Sequence, residues 1–399
     1  MAWEIFSRIT HRTLFFFYYI NIFISINGIR LWSTNGRNIY FHLKNSTDNQ
    51  TISSGESSIE YKIRGINWFG MNNDCLVVNG LWIKNMESYL DMLVQEGFNS
   101  LRIPFSMESV FHIDMPIKQD CVTKDTNLMN KTVRSFLHEL FGACLYRNMT
   151  ILLDFHSIYN VITEYPWFSP LLSKDDFWKL WKIIIDEYAI YPNLIGIDIK
   201  NEPHGSIQWP EWSEFIDNFI QNVIQQTPHF QGLVFVEGIQ DHEDHSVWGG
   251  SFRLMPEPFF TNLSSTTNFL VLSPHIYGVS IRGVSAMYDT SLVWDIWFAN
   301  RREQYPICIG ELGGMFIDED WDWQQRLLYY LIDMNIQNFY FWSLTPNSYD
   351  VGGLLQLDWQ TFNTRKLFFC KLLQPEPTFS IDFFSIGHLS FYEDGSFII

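Results

Sequence analysis

The sequence predicts an α/β fold, a (β/α)8 TIM barrel, and three observations predict it. From Tyr61 onward, eight short apolar runs alternate with longer amphipathic stretches, the pattern of a parallel sheet with crossover helices. One run, Leu194–Ile199, carries three isoleucines and stops at Asn201-Glu202-Pro203, as a strand buried on both faces does at its tip. Polar residues also collect at the ends of most other runs, where a barrel places its chemistry. A doubly wound open sheet is the competing architecture, but no glycine-rich phosphate turn follows the first run.

In chain order, residues 1–28 stand apart. Arg8, His11 and Arg12 precede the apolar stretch Leu14–Ile26, which is short for a span of ~20 residues but suits a secretory leader. A signal peptide is the favoured reading. An uncleaved membrane anchor is the alternative, because Gly28 is small but Ile26 is not. Residues 31–41 contain Asn35-Gly36 and read as a hairpin, and residues 44–58 as a polar surface loop. Strands are expected near Ile63–Asn67, Ser100–Pro104, Ile151–His156, Leu194–Asn201, Leu233–Glu237, Phe269–His275, Ile307–Glu311 and Asn338–Leu344. The clearest helical stretches are Met86–Glu96, Leu128–Arg147, Phe177–Tyr188, Trp212–Gln226, Leu292–Gln304 and Trp323–Met334. A helix at Arg365–Leu373 closes the ring, so the barrel unit is assigned to residues 29–373. Residues 374–399 form an extension rich in Phe and Ile, expected as a strand pair against the barrel's side and carrying no functional account.

A formal charge of −18 and a pI near 4.9 argue against nucleic acid as a partner. Sixteen tryptophans exceed ordinary packing needs, and such rings also serve as platforms for the apolar faces of sugars. Acceptor sequons at Asn45, Asn49, Asn130, Asn148 and Asn262 agree with export. The five cysteines show no metal spacing; Cys308 reads as a buried thiol, while Cys75 and Cys121 lie in loop-like segments that can pair.

The strand-end residues are Arg102, His156, Asn201 with Glu202, His275 with Tyr277, Glu311 and Trp342. Singly, each has a plain structural explanation: a hydrogen-bonded histidine, a paired arginine, a packed tryptophan. Barrel geometry brings them onto one rim. Glu202 and Glu311 close strands four and seven, on roughly opposite sides of the ring. Glycoside hydrolysis needs such a pair, one carboxyl to protonate the leaving oxygen and one to attack or stabilise the anomeric carbon. Glu237, ending strand five, is the competing carboxylate, and Asp154 and Asp198 read as structural.

With Gly65-Ile66-Asn67-Trp68-Phe69-Gly70, Gly80-Leu81-Trp82, Val236-Glu237-Gly238, Trp248-Gly249-Gly250 and Pro346–Leu355 in the same order, these motifs resemble glycoside hydrolase family 5. They are most similar to its endo-β-1,4-glucanase branch, over about residues 30–373. The resemblance implies Glu202 as acid/base and Glu311 as nucleophile, with Asn201 on the sugar's 2-hydroxyl. It implies that Arg102 and Tyr277 bond Glu311 and keep it ionised, that His156 and His275 line the pocket, and that Trp342 is its stacking floor. Trp82 and Trp248 would border neighbouring sugar subsites.

The sequence departs from the family where Phe155 and Ser157 flank His156, and where the following loop lacks the cysteine that often pairs with the one matching Cys75. The expected activity is retaining endo-hydrolysis of cellulose or a related β-glucan, by a secreted monomer needing no metal or cofactor. Mannan and mixed-linkage glucan are alternative substrates. A silent glycan-binding wall protein is the rival class, disfavoured because both carboxylates are present. Two carboxyls ~5–5.5 Å apart are expected for retention, with the pKa of Glu202 raised by the charge of Glu311.

Overall fold

The computed structural model describes residues 30–42, 58–159, 173–243, 245–257, 268–383, 390–391 and 397–398. The leader, most of the 44–58 loop, and the sequons at Asn45, Asn49 and Asn262 lie outside the described residues. Asn130 is exposed and Asn148 half-buried.

The hairpin forms first, as β1 (Trp32–Asn35) and β2 (Asn38–His42), antiparallel around Gly36, whose φ of 55° suits glycine in a tight turn. A third strand, β3 (Ser58–Glu60), pairs with β2. The barrel follows: β4 (Arg64–Asn67), β5 (Ser100–Ser106), β6 (Thr150–Ser157), β7 (Leu194–Asp198), β8 (Leu233–Val236), β9 (Leu270–Leu272), β10 (His275–Tyr277), β11 (Cys308–Gly313) and β12 (Asn338–Phe341). All neighbours in this sheet are parallel, in the order β10-β11-β12-β4-β5-β6-β7-β8-β9.

The sheet has nine pieces but eight barrel positions, because β9 and β10 are one strand broken at Ser273-Pro274. Proline has no N–H to give a ladder. A bridge between Leu272 and Ile307 carries β9 onto the segment entering β11 and closes the ring. The expected barrel is therefore the observed fold, with the sixth strand split where a single run was expected.

Helices α1 (Met86–Gln95), α2 (Met107–Phe111), α3 (Val133–Tyr146), α4 (Lys174–Tyr188), α5 (Trp209–Asn222), α6 (Val279–Arg282), α7 (Ser291–Trp297), α8 (Asp318–Asp333) and α9 (Thr364–Leu373) follow their strands. Their starts are set by side chains that satisfy free N–H groups. Asn85, Thr132 and Asn363 cap α1, α3 and α9, and Ser173 with Asp176 forms a capping box on α4. The Thr132 cap explains why α3 begins later than the apolar pattern suggests. Conversely, α8 begins at Asp318 rather than Trp323, its first turn carrying Asp318, Glu319 and Asp320 against the positive end of the helix.

The end of the barrel where strands begin is sealed. Trp32 N–H donates to Gln231 and Thr34 N–H to Asn268, just ahead of β8 and β9. Residues 374–383 lie on the same end: the Arg64 guanidinium donates to Gln374 O, Asn99 Nδ2 to Thr378 O at 2.9 Å, and Phe383 packs against Phe41 at 5.3 Å. Beyond them, β13 (Ser390–Phe391) and β14 (Phe397–Ile398) pair antiparallel. The opposite end, where strands finish, is left open.

Candidate active site

Arg102 enters the barrel from β5 and is wholly buried. Its Nη1 donates to Asn67 Oδ1 at 3.0 Å and Glu311 Oε1 at 2.7 Å, its Nη2 to Asn201 Oδ1 at 3.0 Å, and its Nε to Asp198 Oδ2 at 3.1 Å. Asp154 and Glu237 lie 3.1 and 3.2 Å from Nη2. Burial alone would favour the neutral guanidine. Four surrounding carboxyls reverse that and hold the charge well above the ordinary value. Asp154 and Asp198 are thus structural partners; Asp154 also meets His156 Nδ1 at 2.7 Å.

Glu311 projects from β11, in register with His275 on β10. Tyr277, two residues on, donates its hydroxyl to Glu311 Oε2 at 2.6 Å. Burial, then the charges of Glu311 and Glu202, push that phenol well above its ordinary pKa, so it stays a donor. With Arg102 on Oε1, both oxygens of Glu311 are aimed.

Glu202 lies beyond the end of β7 in the left-handed region, φ 50°. Its peptide N–H donates to Glu237 Oε2 at 2.7 Å, and its carbonyl accepts from His204 Nδ1 at 2.6 Å. His275 Nδ1 sits 3.2 Å from Glu202 Oε1 and 3.6 Å from Glu311 Oε2. One oxygen each of Glu202 and Glu311 and one ring nitrogen of His275 fall within 4.8 Å of one another.

The pKa of Glu202 runs opposite to expectation. Burial raises it, but the hydrogen bond and charge of His275, then His156 and His204, outweigh burial and hold it below the ordinary value. The expectation counted Glu311's charge and left out the imidazole between them. Burial disfavours charge on His275 as well, yet Glu237 and Glu311 keep it well above the usual histidine range.

Glu237, the competing carboxylate, is fully buried. Burial, then the charge of Asp198 against the pull of His275 and Arg102, leaves it raised to about 8. It lies outside the residues that line the open cleft, a space of about 730 Å³ walled by Glu202, Glu311, His156, Tyr277, Trp248 and Trp342, among others. Three glutamates end strands on this rim; two reach the opening.

Trp342 lies nearly parallel to Phe69 and to His156, with centroids 5.4 and 5.5 Å away, and donates Nε1–H to Ser348 Oγ at 3.1 Å. The peptide after it is cis, which nothing in the sequence announces because Ser343 is not proline. Trp248 is 41 % exposed and stacks on His204 at 4.0 Å. Trp82 stands away from this lining, packed edge-on against Trp359 at 5.1 Å. Asn201 is buried with its Nδ2 unpartnered among the described residues.

Reading the residues alone missed three features: the bond from Glu202 N–H to Glu237, His204 beneath Trp248, and the chain from Trp342 through Ser348 to Asp350 Oδ1 at 3.1 Å. Only the last had a signal, the short-range Ser-x-Asp pair beyond strand eight. Cys75 and Cys121 are joined by a disulfide, Cα–Cα 5.8 Å, between the loops leaving β4 and α2; Cys308 is a buried thiol.

Breaking a glycosidic bond is the chemistry that two carboxyls facing each other across a barrel rim can perform, and the chain is a glycoside hydrolase. Residues 57–348 match the model of the family described as Cellulase (glycosyl hydrolase family 5). The chain belongs to that family.

An endoglucanase of Paenibacillus polymyxa is 29% identical over 336 residues, covering 78% of this chain and 82% of that one. The major extracellular endoglucanase of Xanthomonas campestris pv. campestris is 28% identical over 324 residues, 77% of this chain and 66% of the relative. Among solved structures, a hyperthermophilic endocellulase from the archaeon Pyrococcus horikoshii superposes with a TM-score of 0.76. It is 28% identical, over 87% of this chain and 99% of that one.

Proposed function

We propose that this chain is a retaining endo-β-1,4-glucanase, with Glu202 as acid/base and Glu311 as nucleophile. The observation that carries it is the meeting of these two carboxyls at the cleft, with Glu237 shut beneath. One oxygen of each carboxyl lies within 4.8 Å of the other, the close approach expected of a retaining pair at ~5–5.5 Å and not of an inverting pair at ~6.5–9.5 Å. The endoglucanases named above support the β-1,4-glucan substrate, as do the P. horikoshii endocellulase complexes with cellotetraose.

In the first step Glu311 attacks the anomeric carbon while Glu202 protonates the departing oxygen. Against burial, His275 holds the pKa of Glu202 below the ordinary value, and a proton for it is one contact away. Transfer from His275 Nδ1 to Glu202 Oε1, 3.2 Å apart, turns imidazolium and carboxylate into imidazole and carboxylic acid. The buried Asn201 Nδ2 is a free donor for the 2-hydroxyl, and Trp342 supplies the floor. In the second step Glu202 takes a proton from water, which releases the sugar from Glu311 with the starting stereochemistry.

Export as a monomer, with residues 29–373 as the catalytic unit, belongs to the same reading. The name of the X. campestris relative and the disulfide, a bond of oxidising compartments, support export. No helix among the described residues is long and apolar enough to cross a membrane.

Two amide variants test the roles. Glu311→Gln should be nearly inactive on every substrate. Glu202→Gln should still react with an aryl cellobioside bearing a good leaving group, and azide should restore turnover with a β-glycosyl azide as product. A β-azide from the Glu311 variant instead would reverse the roles. Reducing-sugar release from carboxymethylcellulose, mannan, mixed-linkage glucan and xylan settles the substrate.

A further inference from the structure

We propose that Glu237 is a positioning residue for the acid, reaching Glu202 twice from one buried carboxyl: through its main chain and through His275. The inference rests on the reading of Glu202 as acid/base.

The first route is the 2.7 Å bond from the Glu202 peptide N–H to Glu237 Oε2. A glutamate at φ 50° is held there only where its surroundings over-determine the backbone. On either side the chain is already tied: Asn201 N–H donates to Phe155 O, and Pro203 O accepts from Gln240 N–H. Glu237 supplies the tie between them, at the residue that must present its carboxyl to the glycosidic oxygen.

The second route runs through the imidazole. Glu237 Oε1 lies 3.1 Å from His275 Nε2, and the ring's other nitrogen is the one 3.2 Å from Glu202 Oε1. The contact at Nε2 is a charge contact without hydrogen-bond alignment, so Glu237 bears on the imidazole through its charge while Nδ1 faces the acid.

The other charged groups around Glu237 are Arg102 from β5, at 3.2 Å, and Asp198 from β7, which shares a cluster with Glu237 and His275. Space for the carboxyl is kept by Gly249 at φ 68°, where a Cβ would fall 2.3 Å from Oε2. Glu237 is wholly buried and outside the cleft lining, so it acts on substrate only through its neighbours.

Loosening Glu237 should misdirect the proton donor while Arg102 and Tyr277 still hold the nucleophile. A leaving group that needs no proton should therefore suffer least. The experiment compares kcat/KM on phenyl and 2,4-dinitrophenyl β-cellobioside, a ratio that reports the glycosylation step, for wild type, Glu237→Ala, Glu237→Gln and Gly249→Ala.

For Glu237→Ala we expect a fall of about 100-fold on the phenyl glycoside and less than ~10-fold on the dinitrophenyl one, the former within the range of general-acid catalysis. Glu237→Gln keeps an oxygen for the Glu202 N–H and should recover part of the loss. Gly249→Ala, whose Cβ would crowd the Glu237 carboxyl and also meet Glu202 Cα at 3.4 Å, should show the selective loss too, and Glu237→Gln is the variant that isolates the carboxyl. If Glu237→Ala does not fold, the Gln and Gly249 variants carry the comparison.

Equal losses on both glycosides in those variants would make Glu237 merely structural and overturn the proposal, as would an unchanged ratio. A wild type that cleaves no β-1,4-glucan would overturn the functional reading and this inference together. That outcome is distinct from an active wild type whose variants show no leaving-group effect.

Discussion

At the scale of single residues, the site works by holding side chains that would otherwise turn freely. Trp342 is gripped at three places: parallel rings on Phe69 and His156, and a hydrogen bond to Ser348. Ring distortion of a bound sugar leans on that floor, so its loss reaches the transition state as well as binding. Trp342→Ala should keep the fold, judged by a cooperative thermal transition, and lose about 100-fold in kcat/KM on cello-oligosaccharides. Unfolding of the variant would instead make the ring a packing residue. His275 and the glutamates were legible because each closes an apolar run, whereas Arg102 lies inside β5, two residues past its start, and was placed at a strand end only approximately. The family resemblance set Glu237 apart from the other two, but the physical reason was not legible: Glu237 is turned to the peptide N–H of Glu202, which sits in a left-handed turn. The pKa of Glu202 was missed for a related reason, since its sign is set by an imidazole supplied 73 residues later in the chain.

At the scale of elements, the barrel strands were readable because burial on both faces demands continuous apolar runs. Helix starts drifted wherever a cap or an acidic first turn, and not the apolar period, marks the boundary, as at α3 and α8. The break between β9 and β10 needed knowledge of which strand edges are paired, which Pro274 alone does not supply. The rim loops show a further kind of order. The disulfide ties the loop after β4 to the loop after α2, and Lys124 N–H donates to Leu81 O beside it. Its ends are 46 residues apart, and in the chain-entropy picture closing such a loop contributes about 4 kcal/mol. Replacing Cys75 and Cys121 together by Ser should lower the urea midpoint by no more than that amounts to. Equal midpoints for the two proteins would show that the loops are already fixed without the bond.

At the scale of the whole molecule, one end of the barrel is built for chemistry and the other for stability. The floor is an aromatic cluster shared by segments far apart in the chain: Trp32, Phe41, Tyr61 and Phe383. Phe383 is completely buried there, so Phe383→Ala should cost about 3–5 kcal/mol of stability. Chemical denaturation measures the loss, while kcat on soluble glucan at 25 °C should stay unchanged because the cleft lies at the far end. A fall in activity without a fall in stability would mean that the two ends are coupled. The same closure has a directional consequence. Arg30, which donates to Phe230 O and Gly232 O, and Phe383, packed on Phe41, both sit on the floor, so the described barrel is entered and left on the side facing away from the cleft.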